Sequence, residues 1–108
     1  MGETKDRGSQ IDQVNIAWAH PARDDLLAIR EYVEFADVRR AQNTVLHLLR
    51  MVELLASTPF IGRPGRVKGT RELVLTKMPY IVVYRATANV IEVLRVLHTA
   101  RRWPPRDE

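Results

Sequence analysis

Residues 72–98 hold three apolar runs, ELVLTKM, YIVVYRA and VIEVLRVLH, set almost end to end. Each is rich in Val, Ile, Leu or Tyr and too short for a proper helix, so each is expected to be a strand. Thr87-Ala88-Asn89 between the last two suits a hairpin, and Pro79 punctuates the first join. Strands joined this tightly run antiparallel, and their sheet needs an apolar cover on at least one face.

The upstream half supplies that cover. In VRRAQNTVLHLLRMVELLAS, residues 38–57, Val38, Ala41, Val45, Leu48, Val52 and Leu55 recur at spacings of three and four. This predicts a helix with an apolar seam, and Leu46, Leu49 and Met51 widen it beyond what one neighbouring helix would cover. HPARDDLLAIREYVEFAD predicts a second helix from about Pro21, with Leu26, Ile29, Val33 and Ala36 inward and Asp24 and Asp25 near the positive end of the helix dipole. A short break at Asp37 makes the two an antiparallel hairpin. Before them, VNIAWA alternates with a period of two and predicts a strand over 14–19. STPFIGRPGRVKG, residues 57–69, carries two of the six prolines and three of the five glycines and is expected to be a loop. The expected class is α+β in the order β-α-α-β-β-β: a largely antiparallel sheet with a helical hairpin packed on one face. Residues 1–12 are expected to form a flexible polar tail, 13–104 a single domain and 105–108 a polar end.

A chain of 108 residues has room for one core and not for a dinucleotide-binding half with a substrate domain attached. The 17 Lys and Arg against 13 Asp and Glu give a net charge of +4, which favours an anionic partner without choosing among nucleic acid, an acidic protein segment and a ribosomal surface. The absence of cysteine excludes disulfides and thiolate chemistry, and fits a reducing cytoplasm. No run reaches the roughly 18 apolar residues that span a bilayer, and the N-terminus has no secretory apolar region, so a cytoplasmic protein is expected. No His, Asp or Glu spacing suggests a metal site, and no cofactor is expected.

Four segments together resemble a known family: the loop PFIGR at 59–63, the strand start GTREL at 69–73, the strand PYIVVY at 79–84 and the close LHTARRWP at 97–104. The chain resembles, over roughly residues 14–104, the RelE/ParE superfamily of small bacterial toxins from type II toxin-antitoxin modules. The resemblance implies the same β-α-α-β-β-β fold and a growth-inhibiting toxin held inactive by a cognate antitoxin. It also implies one of two targets. RelE-like members cleave messenger RNA on the ribosome, whereas ParE-like members poison DNA gyrase.

Candidate residues follow from both lines. RNA cleavage through the 2'-hydroxyl needs an acid or base and cations over the phosphate, for which the resemblance offers His98 with Arg71 and Arg101. Where RelE-like nucleases carry an arginine before the strand MPYIVVYRA, this chain has Pro79 and Tyr80. That departure favours the ParE-like reading. Outside the family context, His98 reads as a strand-end residue hydrogen-bonded to backbone and Trp103 as a lid on the sheet edge. Arg63, Arg66, Lys68 and Arg71 are interleaved with Gly62, Pro64, Gly65 and Gly69. They are either a solvated loop or, with Arg101, Arg102 and Trp103, a surface for nucleic acid or another target. Tyr80 and Tyr84 are expected to be half-buried, with base stacking as the alternative. The wide face of the second helix, Val45, Leu46, Leu49 and Val52, is the expected seat of an acidic antitoxin segment.

Overall fold

The computed structural model describes residues 15–99. Strand β1 (Asn15–Trp18) leads into helices α1 (His20–Ala36) and α2 (Val38–Leu54), followed by β2 (Arg63–Pro64), β3 (Arg71–Val74), β4 (Tyr80–Ala86) and β5 (Val90–His98). The five strands form one mixed sheet in the order β1-β5-β4-β3-β2. β1 runs parallel to β5, and every other pair is antiparallel. The α+β order read from the sequence is therefore present, with one addition. Inside the expected loop, β2 forms a two-residue edge strand in which Arg63 pairs with Glu72 and Pro64 with Arg71. Proline suits that position, because an edge strand has one side that needs no N–H donor.

Helix α1 begins at His20, with Pro21 in its first turn, where a missing N–H costs nothing. Its first turn holds no acidic residue, so Asp24 and Asp25 lie beyond the end that the dipole favours. The hairpin turn is a single residue. The Asp37 N–H donates to the Val33 carbonyl at 2.8 Å, closing α1, while its Oδ1 accepts the Arg40 N–H at 3.1 Å and caps α2.

The seam of α2 packs as its spacing predicts from Ala41 through Leu48 and Val52 to Leu55, all buried, but its first member, Val38, stays exposed at the turn. These residues meet the helix-facing side of the sheet. Leu48, Val52 and Ala22 pack with Tyr80, Val82, Val93 and Val96, and Leu55 packs with Tyr84 and Ile91. On the other side Ile81, Val83 and Leu97 form a smaller cluster with Leu94. The β4–β5 register shifts between Val83 and Tyr84, which pair with Arg95 and Val93 and leave Leu94 as the extra residue. Tyr80 and Tyr84 are core residues, not half-buried ones, and Tyr84 has no exposed face to stack on a base.

Candidate functional site

Two regions carry the candidate side chains, one at each end of β4. At its start, Tyr80 pairs with His98 across the β4–β5 ladder, and the two rings meet edge to face at 5.8 Å. They help to line a cleft of about 410 Å³ beneath α1, with Asp25, Ala28, Ile29, Tyr32 and Val96. A wider groove of about 660 Å³ shares Tyr32, Tyr80 and His98 and continues past Phe35, Arg40, Thr44, Lys77 and Met78. Tyr32 and Phe35 are 79% and 96% exposed, although both are large aromatics on a helix. Burial, with the neighbouring Tyr32, holds the Tyr80 phenol above its usual range despite Arg40, so it is a hydrogen-bond donor and not a base at neutral pH.

Asp25, which lines this cleft, forms an ion pair with a residue 70 positions away. Arg95 Nε and Nη2 donate to the two carboxylate oxygens of Asp25 at 2.7 and 2.9 Å. Asp25 Oδ2 also accepts the Val96 N–H at 2.8 Å. β1 pairs with β5 only as far as Val93, so Asp25 takes over the edge of β5 just beyond the point where β1 ends. The hydrogen bond to Asp25 raises the Arg95 pKa although burial opposes it. Neither partner was legible as a pair, because nothing local in the sequence links them.

At the other end of β4 stands the basic loop. Glu72 is 2% exposed, and its Oε1 accepts from Arg63 Nε and Nη2 at 3.2 and 2.9 Å. Its Oε2 accepts the Arg66 N–H at 3.0 Å. Burial pushes the Glu72 carboxyl upward, but the Arg66 N–H and the Arg63 and Arg66 guanidiniums outweigh it and leave the pKa below the usual carboxylate value. Arg71 Nη1 donates to the carbonyls of Gly62 and Phe60 at 2.8 and 3.2 Å, and its guanidinium lies 5.0 Å from the centre of the Phe60 ring. The Tyr84 hydroxyl accepts the Gly62 N–H at 2.9 Å and donates to the Pro59 carbonyl at 2.7 Å. Gly62 is required here, since a Cβ would sit 2.7 Å from that hydroxyl.

The structure therefore separates the expected catalytic set. Arg71 pairs with Tyr84 and His98 with Tyr80, so the two lie on opposite sides of β4 and four residues apart along it, roughly 13 Å in the strand direction. The Arg71 guanidinium is engaged by the Phe60 and Gly62 carbonyls at its own end of the strand. Arg63 and Arg66 share Glu72, while Lys68 remains exposed. Arg101, Arg102 and Trp103 lie outside the described residues. On the expected antitoxin face Leu46 is exposed and Val45 and Leu49 are half-buried, but Val52 is 2% exposed and belongs to the core. The large apolar side chains exposed at the hairpin are Leu27, Tyr32, Phe35, Val38, Leu46 and Leu54. Tyr32 and Phe35 fall off the Leu26-Ile29-Val33 stripe, the one sequence signal that could have marked them. Among the described residues no three His, Asp or Glu side chains are grouped to hold a metal, and no helix is long and apolar enough to cross a membrane.

A mixed five-stranded sheet with a two-helix hairpin on one face, built on the segments quoted above, is the architecture of the RelE/ParE toxins of type II toxin-antitoxin modules. Residues 16–103 match the ParE toxin of the type II toxin-antitoxin system parDE, and the chain belongs to that family. It is 43% identical over 94 residues to Y4kP of Sinorhizobium fredii, a protein named as a toxin, covering 87% of this chain and 97% of that one. Toxin RelE2 of Caulobacter vibrioides is 33% identical over 86 residues, covering 80% and 96%. Among solved structures, the chromosomal ParDE system of P. aeruginosa superposes with a TM-score of 0.72 at 28% identity, covering 81% of this chain and 97% of that one.

Proposed function

We propose that this toxin arrests growth by acting on DNA gyrase, with no covalent chemistry of its own, and that a cognate antitoxin neutralises it. The observation that carries the reading is the separation of Arg71 from His98 along β4, with Arg71 spent on two loop carbonyls. A nuclease needs its cation and its acid or base on one phosphodiester, and Arg71 is held by the loop instead. Membership of the parDE toxin family supports the same target. For the antitoxin, an acidic amphipathic segment fits the hairpin, where exposed Leu46 and half-buried Val45 and Leu49 lie on a face that also carries Arg50. Purified toxin is expected to inhibit gyrase supercoiling, and its expression to induce a DNA-damage response with messages intact. Supercoiling left untouched, with no damage response, would sink the proposal.

A second reading, a ribosome-dependent endoribonuclease, is favoured by the groove that places His98 beside Arg40 and Lys77. It expects cleaved messages in arrested cells and a loss of about 10²-fold or more in cleavage in His98→Ala. The gyrase reading expects the same variant to stay toxic, so a growth assay of His98→Ala beside wild type separates the two.

A further inference from the structure

We propose that the turn from Pro59 to Lys68 is a preformed docking knob for an acidic protein surface, with Phe60 and Ile61 as its apolar anchors. The proposal rests on the toxin reading and names the surface through which the target is gripped. Surface loops are commonly more mobile than the elements they join. This one is held. Tyr84 and Arg71, both from the sheet, make four hydrogen bonds to the backbone of residues 59–62. The Thr70 hydroxyl bonds to the Val67 carbonyl, the Gly65 N–H to the Thr70 carbonyl, and Glu72 ties Arg63 to the backbone of Arg66. Yet the residues so firmly held keep their largest apolar groups in water: Phe60 is 63% and Ile61 61% exposed. A backbone fixed in advance lowers the entropy lost on binding.

Charge selects the partner. Residues 59–72 carry four cations against the single carboxylate of Glu72. Arg63 and Arg66 divide that one carboxylate between them and remain about half exposed. Lys68 makes no ion pair among the described residues and stands in solvent. An apolar centre with a cationic rim is the anatomy of a protein interface whose counterpart has an apolar hollow edged by Asp and Glu. A nucleic-acid track would instead want a row of cations without internal acceptors and flat rings for stacking. Here Arg63 and Arg66 are engaged by Glu72, Arg71 by carbonyls, and one face of Phe60 by Arg71.

The test uses the full chain with Ile61→Asp and Lys68→Glu, singly and together. Four readouts are compared with wild type: melting temperature, co-purification with the cognate antitoxin, growth arrest in cells, and retention on immobilised gyrase. The double variant is expected to melt like wild type, keep its antitoxin and lose growth arrest and gyrase retention by tenfold or more. Lys68→Glu alone, at an exposed turn, is expected to show a smaller loss in the same direction and serves if Ile61→Asp fails to fold. Undiminished growth arrest in a folded variant overturns the proposal. So does loss of the antitoxin, which would make the turn the antitoxin's seat. A third contrary outcome is wild-type binding of single-stranded RNA or duplex DNA that Lys68→Glu abolishes, which would make a nucleic acid the occupant. If wild-type toxin leaves gyrase alone yet arrests growth, the gyrase reading falls by itself. The docking knob is then still judged by whether the double variant arrests growth.

Discussion

Tyr84 does at one residue what a longer loop would need several contacts to do. Its hydroxyl both accepts and donates in a buried setting, so Tyr84→Phe strands the Gly62 N–H and the Pro59 carbonyl together. The expected cost is about 1–3 kcal/mol, seen as a lower melting temperature and faster amide exchange at Gly62. Burial raises the Tyr84 pKa above 10.0, more than the Gly62 N–H and Arg71 lower it. The unfolded chain therefore loses the phenolic proton first. The phenol's contribution is complete below about pH 10 and is lost as pH rises through the folded value, so wild type is expected to weaken in alkali more steeply than Tyr84→Phe. Glu72 gives the opposite sign. Its folded pKa lies below the ordinary 4.5, so its contribution is present above that value and is lost as pH falls through the folded one. Acid titration of the melting temperature is expected to show a drop below about pH 4.5 in wild type that is shallower in Glu72→Gln.

At the level of elements, α1 is fastened to β5 by Asp25, which is nearly buried and binds both the Arg95 guanidinium and the Val96 N–H. Asp25→Ala leaves Arg95 without its carboxylate in a partly dry site and is expected to cost about 3 kcal/mol, with loss of exchange protection at Val96. The seam of α2 offers a contrast within one pattern. Leu48→Ala, at a fully buried position, is expected to cost about 2–5 kcal/mol, whereas Val38→Ser, exposed at the hairpin turn, is expected to stay within about 0.5 kcal/mol. Periodicity treats both residues alike, because spacing reports the face of a helix and not where its partner ends. For the same reason the helices and strands β1, β4 and β5 were legible in the sequence; the expected strand over 72–78 is a strand only to Val74, and the two-residue β2 was not legible. That strand exists because Arg63 finds Glu72 across the ladder, a tertiary event with no local signal. The basic residues of the loop were likewise legible as a cluster. Their engagement with Glu72 and with carbonyls depended on a fold that places residues 59–66 against β3 and β4.

For the whole molecule, the decisive arrangement is the sheet order, in which the first strand lies beside the last and β4 carries a different candidate region at each end. The pairing of Asn15–Trp18 with Val90–Val93 has a temporal meaning as well as a spatial one. While the polypeptide is being translated, β1 emerges early and waits unpaired for β5, its neighbour in the sheet, to follow. The frame of the Pro59–Gly62 turn waits for Tyr84, and α1 waits for Arg95. Contacts so distant in sequence also slow folding, because the long intervening segment must be closed before they form. The complete sheet can therefore form only once β5 has been made, and the delay between first strand and last is built into the order of its strands.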